Sequence, residues 1–375
     1  MDKCLHKLYN ELQNGKEYLS EHDNYTISKQ VLHNESMFPP AIHKTSRYFT
    51  DNLKRKIINE GSYLLISSCR MLGKEFRVSI VLCNPIEYVN IEKMFFTIFL
   101  WLYVINTIST DNSKSCTKTL DITLFLVDAP KELPSMGSET IGPDNVNSGY
   151  TYTCKENNEI IIYREEEWLK VLIHESFHSY GLDFSSFNMD EYQSRIQEMF
   201  NVKSELLLYE SYCETWARVL NVIMNHFVDN PTIKFPAFKK KCILDFQKET
   251  VHAMMQACKI LKFTGISYHI LISDDNELKK CSKTLYKEST NVFCYYIITS
   301  LLMFYLDELF TWCHQNNKDI LCIPKKKQSI NKFIQFIEER YDKEQFVDLM
   351  DECSGMEELY DPSLRMTAFF MDMAK

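Results

Sequence analysis

Three residues with chemistry-bearing side chains stand together in the run His174-Glu175-Ser176-Phe177-His178. On a helix, residues four apart share one face with Cβ atoms about 5–6 Å apart, so both imidazoles can reach one ion. Glu175 projects about 100° round the axis from His174, where its carboxylate reaches a water on that ion rather than the ion itself. Zinc held by three protein ligands keeps a fourth position for water and lowers the water's pKa to about 7. The chemistry open to such a set is attack of a metal-activated water on a carbonyl, with Glu175 as general base. Leu172, Ile173 and Phe177 flank the motif and Gly181 offers a helix stop, so a largely buried helix is expected. Two imidazoles and a carboxylate in apolar surroundings need a partner that offsets their desolvation, and a metal ion is such a partner.

A third ligand must come from elsewhere. The metzincin pattern, HExxHxxGxxH or the same ending in Asp, is met by Gly181 but puts Phe184 at the ligand position, with Asp183 one residue out of register. Glu210 and Glu214, in the run Tyr209 to Ala217, are four apart and share a helical face. One can ligate while the other orients a histidine. An oxyanion formed on a substrate needs a further donor, for which Tyr295, Tyr296, His226 and His269 are the candidates.

The elements that must position these groups are legible in outline. Asp2 to Leu19 and Ser46 to Glu60 have helical apolar spacing. Ser62 to Ser67, Phe76 to Leu82 and Leu120 to Val127 read as strands, with a long apolar helix at about 90–109 between the last two. Ser148 to Thr153 alternates like a half-exposed strand, and Ile160 to Tyr163 is a short buried one. Glu165, Glu166 and Glu167 are placed in the first turn of the motif helix, where its dipole favours acidic groups. After Asp183 nearly everything reads as helix, at about 188–200, 203–228, 236–262, 276–313, 329–340 and 343–351. The expected fold is α+β in three parts: a helical N-terminal region at 1–60, a sheet and motif-helix unit at 61–183, and a mainly helical unit at 184–375 that supplies the third ligand.

Composition narrows the function classes. The formal net charge of -9 argues against nucleic acid as main partner, because phosphate binding needs a basic footprint. The apolar runs at 94–105 and 292–306 fall short of the roughly 18–20 residues of a spanning helix, so core helices and no membrane partner are expected. The 13 cysteines form no CxxC pair, and Met1 to Lys7 does not resemble a secretory leader. Reduced thiols, and hence a cytoplasmic compartment or a virion assembled in one, follow as expectations.

HExxH followed by a glutamate on a downstream helix resembles the gluzincin metallopeptidases, and Glu214-Thr215-Trp216-Ala217 is similar to the ligand segment of their aminopeptidase branch. The thermolysin branch would choose Glu210 instead. The upstream order of edge strand, final strand and active helix also looks like a zincin catalytic domain, whose edge strand accepts an extended substrate by strand addition. This likeness spans roughly residues 62–228. The Lys-, Ile- and Asn-rich style with many cysteines is similar to that of predicted metallopeptidases of large DNA viruses. The resemblance implies a metallopeptidase holding one zinc ion on His174, His178 and Glu214, with Glu210 as alternative ligand or neighbour, acting on peptide or protein substrates. The competing expectation is a catalytically silent zincin-fold protein, structural or virion-associated.

Overall fold

The computed structural model describes residues 1–22, 25–83, 89–109, 115–135, 140–356 and 361–374. In chain order its strands are β1 (Ser28–Val31), β2 (Tyr63–Met71), β3 (Lys74–Leu82), β4 (Thr119–Leu126), β5 (Gly149–Thr151) and β6 (Asn157–Ile162). The helices are α1 (Asp2–Glu21), α2 (Asp51–Glu60), α3 (Ile91–Ile108), α4 (Pro143–Val146), α5 (Trp168–Ser179), α6 (Asp190–Phe200) and α7 (Leu208–Asp229). They continue as α8 (Phe235–Thr264), α9 (Tyr268–Ile272), α10 (Asn276–Leu285), a π-helical stretch (Phe293–Ile298), α11 (Thr299–Phe304), α12 (Leu306–Asn316), α13 (Lys327–Glu338) and α14 (Glu344–Ser354). The fold is therefore α+β, with a helical C-terminal region.

The six strands form one mixed sheet in the order β1-β2-β3-β4-β6-β5. β3, β4 and β6 run parallel, whereas β5 pairs antiparallel with β6 and forms one edge. Alternation of the pleat divides the side chains between two layers. Phe76, Val78, Ile80 and Leu82 of β3 join the larger core with α3 and α5, while Val81 faces a smaller cluster with Phe49, Leu53 and Ile57. Burying an apolar side chain in either layer contributes about 1.5–3 kcal/mol. The larger core is continuous across the expected boundaries at 60 and 183: Leu5, Trp101, Leu172, Tyr212 and Ile260 all belong to it.

Several expectations need correction. The region at 1–60 is not wholly helical, because β1 adds an edge strand beside β2; its residues Ser28, Lys29, Gln30 and Val31 are all exposed, so no apolar alternation marks it. The motif helix starts at Trp168. Glu167 precedes it with φ +60°, and its carboxylate holds the Lys131 ammonium and the Thr367 N–H instead of capping its own helix. The expected single helix at 276–313 is broken. Glu288 accepts the Phe293 N–H at 2.6 Å and opens the π-helical stretch, and the chain bends by 91° between the 293–304 and 306–316 segments. Among the cysteines, Cys116 and Cys154 form a disulfide, so the expectation of wholly reduced thiols fails for that pair. The apolar run within α3 is long and apolar enough by composition to cross a membrane, and Met94 to Ile105 packs largely inside the core.

Candidate metal centre

α5 lies beneath the sheet against β5, β6 and α7. All of its residues are buried, because one side meets the sheet and the other meets α7. Gly181 ends it with φ +61°, a conformation costly for any residue with a Cβ. The Gly181 N–H bonds the His178 carbonyl and the Leu182 N–H bonds Phe177, so the chain folds back under the last turn. That reversal delivers Asp183 to His178.

His174 and His178 turn their Nε2 atoms toward one point, 3.2 Å apart. Glu210, from the first turn of α7, completes a triangle: its Oε2 is 3.2 Å from His174 Nε2 and 3.4 Å from His178 Nε2. Its other oxygen accepts from Asn291 Nδ2 at 3.2 Å. Ligands on a tetrahedral zinc at about 2.0–2.1 Å stand about 3.3 Å from one another. The three atoms thus have the mutual spacing that one small ion imposes, and this group can hold a metal ion.

The Nδ1 sides of the rings face carboxylates. Asp183 Oδ2 is hydrogen-bonded to His178 Nδ1 and also receives Cys213 Sγ at 3.4 Å. Glu214 Oε2 lies 3.2 Å from His174 Nδ1, a charge contact without hydrogen-bond alignment. A carboxylate behind a ligating imidazole fixes its tautomer and raises its basicity. Glu214 is itself clasped by Lys170 Nζ at 2.9 and 3.0 Å and by Arg218 Nε at 3.2 Å. Its position is therefore behind His174, not beside the Nε2 atoms, and the sequence-based preference for Glu214 over Glu210 as third ligand gives way to Glu210.

Electrostatics agree with this layout. Burial favours neutral His174 and His178, yet the surrounding carboxylates outweigh it and raise both. Burial also pushes Glu210 up, but the His178 charge and the hydrogen bonds from both rings bring it down to about 2. Glu214 is held well below the carboxylate range against its burial by Lys170 and His174. Glu175 is raised, chiefly by burial. Two imidazoles ringed by Glu175, Glu210, Glu214 and Asp183 form a site that a dication suits.

Glu175 lines a narrow cavity of 30 Å³ together with His174, Gly149, Tyr295 and Met366. Tyr295, from the π-helical stretch, packs edge-on against His174 with ring centres 5.9 Å apart, so this sequence candidate is at the centre. The others are elsewhere. The Tyr296 hydroxyl donates to the Leu364 carbonyl, His226 pairs with Asp245 of α8, and His269 is exposed on α9. Asp183, Lys170, Arg218 and Asn291 were missed as supporting groups. Only Asp183 carried a usable signal, through the helix stop two residues before it.

No protein-family model, curated protein or solved structure matches this chain.

Proposed function

We propose that this chain is a zinc-dependent metallopeptidase of gluzincin type, with the ion held by His174, His178 and Glu210. The observation that carries the reading is the near-equilateral spacing of the three ligand atoms, 3.2, 3.2 and 3.4 Å. Zinc is favoured over harder cations by the two nitrogen donors. When bound, it supplies Lewis-acid polarisation of a carbonyl and a water acidic enough to ionise near pH 7.

The chain's own groups do the rest. Glu175, beside His174 in the cavity, takes the proton from the attacking water and returns it to the departing amine. The Tyr295 hydroxyl is the donor best placed to stabilise the oxyanion. β5 supplies a rail for an extended peptide. Its Tyr150 faces Ile161 and the Tyr163 N–H bonds Ser148, so alternation turns the backbone groups of Gly149 and Thr151 away from β6.

The narrow cavity and the burial of Glu175, 8% exposed, favour a second reading in which the ion is held without turnover. Two measurements separate the readings. Purified protein should contain one zinc per chain by mass spectrometry, and His178→Ala should lose it. Peptide cleavage by the wild type, abolished in Glu175→Gln with zinc retained, supports the peptidase. Zinc without cleavage leaves the silent protein, and a chain that cannot be loaded removes both.

A further inference from the structure

Resting on the peptidase reading, the geometry points to Arg47 as an anchor for a carboxylate on the substrate, either an acidic side chain or a free C-terminus near the scissile bond. The segment around Arg47 is pinned at both ends beside the final strand. Lys44 Nζ pairs with Glu159 of β6, and the Phe49 ring stacks on Tyr163, just past the end of β6, at 4.8 Å. Between these pins Arg47 and Tyr48 reach the mouth of the centre. Tyr295 packs edge-on against His174 and Tyr209 edge-on against His178, with ring centres 6.0 Å apart in the second pair. The Arg47 guanidinium senses the charge of both hydroxyls, which places it across the mouth from the two histidines.

Its state is that of a receptor without its ligand. Arg47 is exposed, and among the described residues no carboxylate pairs with it. Tyr48 steadies it: one guanidinium nitrogen donates to the Tyr48 hydroxyl, and the group lies 4.7 Å from that ring's centre. The remaining N–H donors keep the planar fork that matches a carboxylate. The neighbouring cations are already engaged, Lys44 with Glu159, Lys170 with Glu214 and Lys131 with Glu167. In a centre rich in carboxylates, a substrate carboxylate is repelled everywhere except beside a free cation, so Arg47 confers both attraction and register.

The test is equilibrium binding by fluorescence anisotropy to the Glu175→Gln protein, with and without added zinc. The probes are labelled randomised heptapeptide pools. Two amidated pools have Glu or Gln fixed at the centre, and a third pair differs only in a C-terminal acid or amide. One of the carboxylate pools is expected to bind about tenfold tighter than its amide counterpart. Which pair discriminates tells side chain from terminus. Arg47→Ala should erase the difference, and Arg47→Lys should restore part of it. Equal binding of acid and amide pools, a preference that survives in Arg47→Ala, or no binding by any pool overturns the inference. Zinc content read on the same samples tests the metal reading separately.

Discussion

At the residue scale the centre divides its carboxylates between two jobs. Glu210 faces the Nε2 atoms, whereas Glu214 and Asp183 stand behind the rings. The division has separable consequences. Glu210→Ala should lower zinc affinity by at least about a hundredfold, measured by competition with a chromogenic chelator, with little loss of fold stability. Glu214→Ala leaves the Lys170 ammonium and the Arg218 guanidinium buried without their shared anion, and should cost about 3–5 kcal/mol in denaturant unfolding. Its effect on zinc should be the smaller of the two. If Glu214→Ala releases zinc more readily than Glu210→Ala, the assignment of the third ligand is reversed. The motif itself was legible because a spacing of four on a helix is a linear fact. The choice between Glu210 and Glu214 was not, since both lie on one face of α7 and their roles depend on where Lys170 and Arg218 draw the second.

At the element scale the centre is a contact between α5, the edge strand β5 and α7. Gly149 is where strand and helix come closest. A Cβ there would lie 2.9 Å from Val171 Cγ1 and 3.0 Å from the Ile161 carbonyl oxygen, and the second of these is backbone that cannot swing aside. Gly149→Ala is therefore expected to lower stability by about 1–3 kcal/mol, read as a fall in melting temperature. An unchanged melting temperature would show that β5 is not pressed onto α5. The order of edge strand, final strand and helix was legible from alternation and from the apolar run at 160–163. β1 was not, because a fully exposed edge strand carries no period to detect. The π-helical stretch was also hidden. It depends on the Glu288 carboxylate reaching the Phe293 N–H, and it is the element that brings Tyr295 to His174.

At the scale of the whole molecule, the C-terminal segment braces the centre from behind. The Leu364 N–H bonds Lys131, Met366 Sδ lies 3.3 Å from Lys170 Nζ, and Thr367 donates to both Glu167 and Glu249. A chain of buried ions thus runs from Lys131 through Glu167 and from Lys170 through Glu214 and Arg218 to Glu249, with the segment at 364–368 joining the two branches. Burial raises the Glu249 carboxyl to about 7, so its hydrogen-bond donors carry much of its accommodation. Thr367→Val removes one of them and should destabilise the protein by about 1–3 kcal/mol in chemical unfolding. A neutral outcome would mean that the tail only covers the network.

The sequence by itself determined the motif, the strands beneath it, the helix stop at Gly181 and the helical character of the second half. Each of these is local: a spacing, an alternation or a glycine's freedom of φ. Tertiary structure decided which glutamate meets the imidazoles, that Asp183 lies behind His178, and that Arg47 and Tyr295 come from segments almost 250 residues apart to one mouth. These depend on how helices and loops are rotated and offset against one another, and that is fixed by buried ion pairs and packing between distant parts of the chain.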